Sequence, residues 1–180
     1  MKNAYDIRGD VTVVIINSAK YGRLETLIST NKLKLMQDFG CWHVIRNKSG
    51  SFYVESTTTK NGKQKNVYLH RLVTKCTNKM HVDHFNHDTL DNTDSNLRIV
   101  TRAENMQNLK GPHKDGTSGI LGVTWRKDRK KWKAYMGING KNIHLGLFSD
   151  IDEAERAVIE ARSKHMTFFR NDKVVESDAV

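Results

Sequence analysis

The chain has 180 residues, of which 37% are hydrophobic, and a formal net charge of +10. This polar composition predicts two or three small modules rather than one large core. No apolar run has membrane length, and a pI near 9.6 favours nucleic acid over lipid as the partner. Two distant cysteines, Cys41 and Cys76, predict neither a disulfide framework nor a cysteine zinc finger. No signal peptide is visible, so we expect a cytoplasmic protein.

The charge is unevenly distributed along the chain. Residues 1–69 carry 11 Lys and Arg against 5 Asp and Glu, residues 70–109 carry 5 against 5, and residues 110–148 carry 9 against 2. The neutral middle segment, which contains carboxylates, suits a site that holds a cation, and the basic segments on both sides suit contacts with phosphates. Flanking lysines that are merely solvated remain the alternative interpretation.

Residues 1–66 predict a small α+β module, because β-branched apolar runs alternate with turn residues. Gly22 can occupy a hairpin turn, and Ser29 or Thr30 can cap a short helix. The predicted elements are a hairpin of strands at 11–17 and 23–29, a helix that ends at Gly40, strands at 41–45 and 51–57, and a turn at 60–63. Two roles stay open for this module, a scaffold and an auxiliary DNA contact.

A helical pattern follows at residues 67–73, with the apolar side chains on one face. His70 and Arg71 lie next to each other in this helix and are candidates for phosphate contacts. A surface pair of this kind is just as often without function.

The segment from His81 to Asn105 concentrates residues of metal and proton chemistry, with three histidines and four aspartates. Thr101 and Glu104 form a capping box, which predicts the start of a helix. The predicted order is a strand at 81–85, a loop at 87–96, a strand at 96–100 and a helix from Thr101 to about Asn108.

Such a unit can bring Asp83 and His84, at the end of the first strand, next to Asn105 in the helix. Asp83 and Asn105 each offer an oxygen to a hard cation such as Mg²⁺. His84 points to the other side of the strand and, neutral near pH 7, can take a proton from water. A base and a cation together are what phosphodiester hydrolysis requires.

The stretch VDHFNHDTLDNTDSNLRIVTRAEN resembles the ββα-metal signature of HNH nucleases, in particular the cysteine-free subgroup of phage and intron-encoded homing endonucleases. The resemblance lies in the D-H pair, the L-D-N loop, the S-N-L-R start of the second strand and the E-N helix. It implies that His84 is the general base and that Asn96 holds the loop by hydrogen bonds. It also implies that Asp83 and Asn105 bind one divalent metal, Mg²⁺ or alternatively Mn²⁺. Asn105 stands where the family often has a histidine, which favours a magnesium-type site over a tight zinc site.

A structural zinc site is the alternative for the same segment. Its ligands would be Cys76 and the three histidines His81, His84 and His87. Histidines spaced three apart across a strand and a loop are not all brought together, so we treat His81 and His87 as bystanders.

Beyond a predicted linker at residues 111–117, which holds the only proline, residues 118–170 predict a second small domain. Three short strands would be joined by turns at 127–130 and 139–141. The residues predicted to face inward are Trp132, Ala134, Met136, Ile138, Ile143, Leu145 and Leu147. A helix capped by Ser149 or Asp150 would cover them with a stripe of Ile151, Ala154, Val158, Ala161 and His165 or Met166.

This domain resembles the AP2 DNA-binding domain in S-G-I-L-G-V, K-W-K-A, N-G-K-N-I-H-L-G-L-F and the D-E-A helix. The resemblance implies that the open face of the sheet lies in the major groove of DNA. The family commonly has arginine where this chain has Leu121, Gly137 and Asn142, so base specificity is expected to be reduced or shifted. The residues predicted to bind DNA in the whole chain are His70, Arg71, Arg98, Thr124, Arg126, Lys131, Lys133, Tyr135, Lys141, Asn142 and His144.

The sequence thus predicts an α+β protein with a module at 1–66, an HNH unit at 67–110, a linker at 111–117, an AP2-like domain at 118–170 and a tail at 171–180. The predicted function is a metal-dependent endonuclease that acts on double-stranded DNA, as a monomer or homodimer, in the cytoplasm of a bacterium or a phage-infected host. A non-catalytic sequence-specific DNA-binding regulator and a zinc-stapled RNA-binding module are the alternatives.

Overall fold

The computed structural model describes residues 1–60, 62–109, 111 and 118–170. The predicted tail and, except for Gly111, the predicted linker lie outside these residues. The chain divides into two compact units, Met1–Thr101 (unit 1) and Arg102–Val180 (unit 2). Both units combine antiparallel strands with short helices, which confirms the predicted α+β class.

Unit 1 contains nine strands, two short α-helices and one 3₁₀ turn among its described residues. The strands are β1 (Tyr5–Arg8), β2 (Val11–Ser18), β3 (Gly22–Ser29), β4 (Trp42–Arg46), β5 (Phe52–Lys60), β6 (Lys63–Tyr68), β7 (His81–His84), β8 (Asp91–Asn92) and β9 (Leu97–Val100). The helical segments are the 3₁₀ turn Thr30–Lys32, α1 (Leu33–Gln37) and α2 (Leu69–Val73). The nine strands form three sheets, with strand orders β1-β2-β3-β8, β4-β5-β6 and β7-β9.

The predicted hairpin at residues 11–29 is confirmed, since β2 and β3 pair antiparallel throughout. Gly22 has a φ of 75° at the turn, a conformation that a side chain would disfavour. Neither helix cap predicted here is present: the Ser29 side chain makes no capping hydrogen bond, and α1 is preceded by the 3₁₀ turn. Ser29 Oγ instead accepts from the backbone N–H of Asp94 at 2.8 Å.

One hydrophobic core holds unit 1 together. Trp42 is at its centre, 1% exposed, and donates its indole N–H to the carbonyl of Met36. Val54 of β5, Leu69 of α2 and Leu97 of β9 are buried in the same cluster. Residues from both sides of position 66 therefore share a core, and the strands of the predicted N-terminal module hold the elements that follow them.

The polar segment 87–96 was expected to be only a loop, which is wrong at its centre. Asp91 and Asn92 form β8, which pairs parallel with Leu27 and Ile28 of β3. The pairing adds the backbone of a very polar segment to an apolar sheet, and propensity alone does not predict such a tertiary contact.

Unit 2 begins with α3 (Arg102–Asn105), which is shorter than the predicted helix to Asn108. It continues with a three-stranded antiparallel sheet of β10 (Val123–Arg126), β11 (Lys131–Ile138) and β12 (Lys141–Phe148), followed by α4 (Ile151–His165). Val123 and Ala134 of the sheet pack with Ala154 and Val158 of the helix. A three-stranded sheet backed by one helix was predicted and is confirmed.

The inward face of β12 differs from the prediction. A bulge shifts the register between Ala134 and Tyr135, so that the side chains of β12 change sides at this point. Leu145 and Phe148 join the core, whereas Leu147 pairs with Lys133 on the open face and is 38% exposed. Ile143 pairs with Met136 on the predicted inward side, although it is 43% exposed. A bulge inserts one residue and breaks the period of two from which the prediction was made.

The cap of α4 is Asp150, whose carboxylate accepts from the N–H groups of Asp152 and Glu153. Of the two residues predicted for the end of the stripe, Met166 is buried and His165 is exposed. Arg162 is also buried, which was not predicted. The guanidinium of Arg162 donates to the carbonyl of Gln107 at 2.6 Å and lies over the ring of Phe169. The apolar part of this long side chain is thus buried near the end of the helix, while its polar end keeps hydrogen-bonding and ring contacts. Among the described residues, no helix combines the length and apolarity needed to cross a membrane.

Candidate active site

The two strands β7 and β9 form a short antiparallel ladder at the edge of unit 1. Asp83 pairs with Arg98, and His84 pairs with Leu97. Because Asp83 and His84 are neighbours on one strand, their side chains leave it on opposite sides. Both side chains are nevertheless buried, at 7% and 6% exposed. Buried polar groups need partners, so both sides of the strand are packed against other polar or aromatic residues.

Aromatic rings surround His84. The rings of His70 and His84 meet edge to face, with centroids 5.5 Å apart. Tyr53 of β5 contacts both rings, at 5.6 Å from His70 and 6.1 Å from His84. Tyr68, at the end of β6, stacks on His70 at 5.5 Å. We call these four residues the His84 cluster.

Both histidines of this cluster are held in the neutral form. Burial lowers the pKa of His70 to about 3, with His84 and Arg71 adding to the effect. Burial also lowers the pKa of His84, although the hydrogen bond with Asn92 and the charge of Asp83 raise it in part. At neutral pH the His84 ring therefore has a lone pair that can accept a proton.

Asn92 determines which nitrogen carries that lone pair. Thr26 Oγ1 donates to the carbonyl of Leu90 at 2.6 Å and accepts from Nδ2 of Asn92 at 2.9 Å. The amide oxygen of Asn92 must then face His84 Nε2, 3.4 Å away. An amide oxygen only accepts, so Nε2 carries the proton and Nδ1 has the lone pair.

The predicted role of Asn96 corresponds to a specific set of hydrogen bonds. Its Oδ1 accepts from the N–H of Asn86 at 2.8 Å, and its Nδ2 donates to the carbonyl of Asp91 at 2.7 Å. Its own carbonyl accepts from the N–H of Phe85 at 2.9 Å. The side chain, 5% exposed, thereby ties the end of β7 to the end of β8 across the loop.

Asp83 is oriented by an ion pair. Oδ2 of its carboxylate accepts from the guanidinium of Arg98, the residue opposite it in the ladder. The same guanidinium lies over the ring of Phe85, with its carbon 4.6 Å from the centroid. The carboxylate is therefore fixed by a cation that is itself held in place by an aromatic ring.

Asn105, the second predicted metal ligand, lies in unit 2 as the last residue of α3 and is half-buried. The carboxylate oxygens of Asp83 and the amide oxygen of Asn105 are of the hard type that Mg²⁺ prefers. In the described part of the chain, no group of three or more His, Cys, Asp or Glu side chains could hold a metal ion. The four residues of the zinc alternative are all in that part, and the structure does not bring them together as such a group.

Three residues predicted to contact DNA have contacts within unit 1. His70 belongs to the His84 cluster, and Arg98 pairs with Asp83. Arg71 donates to the carbonyls of Thr77 and Met80, at 2.5 Å and 3.2 Å. These hydrogen bonds and ring contacts fix the side chains locally.

The predicted DNA-contact residues of unit 2 are exposed or half-buried. The register pairs Thr124 with Lys133, Tyr135 with His144 and Gly137 with Asn142, so these residues share one face of the sheet. Arg126 and Lys131 are paired on the same face. Lys141 instead pairs with Ile138, on the other face of the sheet. The nitrogen of Lys133 lies 6.0 Å from the Tyr135 ring centroid, and Arg126 forms an ion pair with Asp128.

Sequence reasoning missed four residues of the site: Tyr53, Tyr68, Thr26 and Asn92. Asn92 is one letter of the L-D-N loop in the sequence, and nothing in this polar segment predicts that its side chain is 1% exposed. Thr26 and Tyr53 lie at inconspicuous positions of strands β3 and β5. Only the tertiary fold brings them to His84.

The comparisons with known proteins agree with this location of the site. Residues 67–107 match the family model of HNH endonucleases. Protein 3.8 of Escherichia phage T7 is 36% identical over 61 residues, which are 34% of this chain and 50% of that protein. The chain thus spans about half the length of the curated relative that it matches. No solved structure matches this chain significantly. The matched segment contains Asp83, His84 and Asn96, and the match supports a nuclease.

Proposed function

We propose that this protein is a metal-dependent DNA endonuclease that hydrolyses phosphodiester bonds, with His84 as its general base. The observation that carries the proposal is the buried, neutral His84 beside Asp83, in a segment that matches HNH endonucleases. A buried histidine whose tautomer is fixed by a buried amide has the geometry of an oriented base. The similarity to a phage T7 protein supports a phage nuclease, and the resemblance of residues 82–105 to homing endonucleases extends the proposal to the homing type.

In the proposed reaction, Nδ1 of His84 takes a proton from a water molecule, and the water oxygen attacks phosphorus. The bond between phosphorus and the 3′ oxygen breaks, and the 3′ oxygen takes a proton from solvent water, which leaves a 5′-phosphate and a 3′-hydroxyl. Asn92 keeps the proton on Nε2 and stabilises the imidazolium that forms. Tyr53 and His70 restrict the ring to one orientation and keep water away from its far side.

Asp83 and Asn105 would hold one divalent cation, Mg²⁺ or Mn²⁺. When bound, the cation neutralises charge that builds up on the phosphate and on the departing oxygen. Arg98 fixes the orientation of the Asp83 carboxylate. Asn96 holds the strand ends that flank the loop, so that Asp83 and His84 keep their positions during turnover.

The AP2-like sheet of unit 2 would supply affinity for double-stranded DNA. Its support is the shared face of Thr124, Lys133, Tyr135 and His144, together with the net positive charge of residues 110–148. Lysines on such a face neutralise phosphates, and binding then weakens as salt increases. A single site per chain cuts one strand at a time, unless two chains act together as a homodimer.

The proposed activity is tested with supercoiled plasmid DNA. Purified protein should convert the plasmid to nicked or linear forms with Mg²⁺ or Mn²⁺, and EDTA should stop the reaction. Undiminished cleavage in chelator would remove the metal from the proposal. DNA binding without cleavage under any metal condition would instead indicate the non-catalytic regulator.

The proposed role of the sheet has its own test in the double variant Lys131→Gln/Lys133→Gln. If both lysines contact phosphates, the slope of log K against log salt should fall by about 1.8. The matched variant Lys2→Gln/Lys34→Gln removes the same charge from unit 1 and should leave that slope unchanged. Equal slopes in the two variants would contradict DNA binding by this face.

A further inference from the structure

Residues 57–60 of β5 and 63–66 of β6 form a two-stranded ribbon that does not pack on the hydrophobic core. β4 pairs with β5 only from Phe52 to Ser56, whereas β6 pairs with β5 up to Lys60. Beyond Ser56 the ribbon therefore consists of β5 and β6 alone. From 57 to 59 and from 62 to 66, no residue is buried.

The composition of this ribbon differs from that of a strand that packs on a core. Residues 57–66 read TTTKNGKQKN, with three lysines, no acidic residue and no apolar side chain. A two-stranded hairpin without an apolar face is marginally stable by itself. An element of this kind, which contributes nothing to the core, requires another reason for its length and charge.

The ladder sorts the side chains of the ribbon into two faces. Thr58 pairs with Lys65, and Lys63 lies on the same side of β6 as Lys65, which makes one face basic by register. The other face is neutral and able to form hydrogen bonds. It consists of Thr57, Thr59, Gln64 and Asn66, which are paired across the strands. Both Lys63 and Lys65 are exposed.

The face that carries Thr57 and Thr59 continues through the buried Glu55 to the His84 cluster. Every second residue of β5 lies on the same side of the sheet, and these are Tyr53, Glu55, Thr57 and Thr59. Tyr68 of β6 pairs with Glu55 and lies on that side as well. Tyr53 and Tyr68 belong to the His84 cluster. One sheet face therefore runs from the general base outward to the tip of the ribbon.

The length of this face matches a few base pairs. Four residues separate Tyr68 from Gln64, which is about 13 Å at about 3.3 Å per residue. Duplex DNA rises about 3.4 Å per base pair along each strand. A duplex that lies along this face would therefore extend about four base pairs between Tyr68 and Gln64.

We propose that this ribbon is a DNA-contacting arm that holds the substrate duplex on one side of the bond to be cut. This inference rests on the proposed function, since it takes the duplex held at His84 as the occupant. Lys63 and Lys65 contact phosphates, while Gln64 and Thr59 present the amide and hydroxyl groups that read base edges. Antiparallel ribbons of this width fit the major groove. A groove of ≈ 540 Å³ beside β6, lined in part by Lys65, Tyr68 and Lys75, continues the basic surface.

The arm is tested by binding of the full-length protein to a fluorescent 30-base-pair duplex without divalent metal. Lys63→Gln/Lys65→Gln should weaken binding about tenfold at 0.15 M salt and lower the salt slope by about 1.8. The matched control Lys20→Gln/Lys48→Gln removes the same charge from exposed turns of unit 1 and should change affinity less than about twofold. If the ribbon variant binds DNA as tightly as the control, the ribbon does not contact DNA.

A second variant separates the two faces. Thr59→Ala/Gln64→Ala should lower affinity severalfold with the salt slope unchanged, because hydrogen bonds to bases release no counterions. An affinity equal to that of wild type would remove the neutral face from the proposal. Cleavage of supercoiled plasmid with Mg²⁺ is measured on the same proteins. If the wild-type protein never cleaves DNA, the proposed endonuclease function is wrong. If the wild-type protein cleaves DNA but the Lys63→Gln/Lys65→Gln variant keeps wild-type DNA affinity, only the proposed DNA-contacting arm is wrong.

Discussion

In unit 1 the polar side chains of the candidate site are buried, whereas in unit 2 the polar residues predicted to contact DNA lie on an open sheet. His84 and Asn92 are 6% and 1% exposed, and each has a defined partner. Lys133 and His144 have no comparable enclosure. A buried polar group must stay within hydrogen-bonding distance of its partner, because an unsatisfied buried donor or acceptor costs about 1–3 kcal/mol.

This difference predicts how each region responds to substitution. In the buried site one side chain is held by several others, so a single change should have a large and local effect. On the open sheet each charge is screened and contributes little by itself. Affinity there is expected to be a sum of small terms, and the variants below test this contrast from the largest expected effect to the smallest.

His84→Ala should lower the rate of DNA cleavage about 10²–10⁴-fold, because the reaction loses its general base. DNA affinity should remain within about twofold, since a buried neutral ring contributes no phosphate contact. Plasmid cleavage at saturating protein and a binding titration measure the two quantities. His81→Ala, on an exposed residue of the same strand, is the matched control and should cleave normally. Equal nicking by both variants would end the assignment of His84 as the base.

Asn96→Ala should destabilise unit 1 by about 2–3 kcal/mol, because two side-chain hydrogen bonds are lost and their backbone partners are left unsatisfied. Cleavage should fall in parallel, since the strand ends that carry Asp83 and His84 are no longer tied together. Urea unfolding and plasmid cleavage are the measurements. Asn17→Ala, at an exposed position of β2, should change neither. A stable Asn96→Ala protein would show that the loop is held by other contacts.

The neutral histidines of the His84 cluster predict a dependence of stability on pH. The pKa of His70 is about 3 in the folded state, against 6.5 for the ordinary group. Between these values the unfolded chain binds a proton that the folded chain does not, so stability is full above pH 6.5 and is lost as pH falls. From pH 7.5 to pH 5 the loss should be about 2 kcal/mol for this group.

Urea titrations across this pH range measure the effect. His70→Phe keeps an aromatic ring in the cluster without a titrating group, and it should flatten the dependence. His81→Phe, at an exposed position, should leave it as in wild type. A wild-type protein whose stability does not change between pH 7.5 and pH 5 would mean that water reaches the His70 ring.

The sequence predicts the local elements well where the hydrophobic pattern is regular. The hairpin of β2 and β3, the strands β7 and β9, and the sheet-and-helix arrangement of unit 2 all follow from apolar periodicity and turn residues. The Asp150 cap of α4 was also one of two predicted choices. These features depend on residues that are near one another in the chain.

The rest depends on contacts between distant residues. Parallel pairing of β8 with β3 brings Asn92 to Thr26, 66 positions away, and no local pattern encodes that pairing. Tyr53 reaches His84 because the first 66 residues and the following elements share one core. The exposed Leu147 in β12 was missed because a bulge reverses the alternation of the strand.

Asp150→Ala, in the helix that supports the open sheet of unit 2, is expected to have the smallest effect on stability. Its carboxylate caps α4 by accepting from two backbone N–H groups, at 2.7 Å and 3.0 Å. Loss of such a cap costs about 1 kcal/mol. Asp150→Ser keeps a capping oxygen and should restore most of the stability. Thermal unfolding measures this difference. Since α4 covers the apolar side of the sheet and not its polar face, DNA affinity should change less than about twofold. If Asp150→Ala loses more affinity than this and Asp150→Ser restores it, the DNA-binding face requires an intact α4. The open sheet would then be as sensitive to its supporting contacts as His84 is to Asn92.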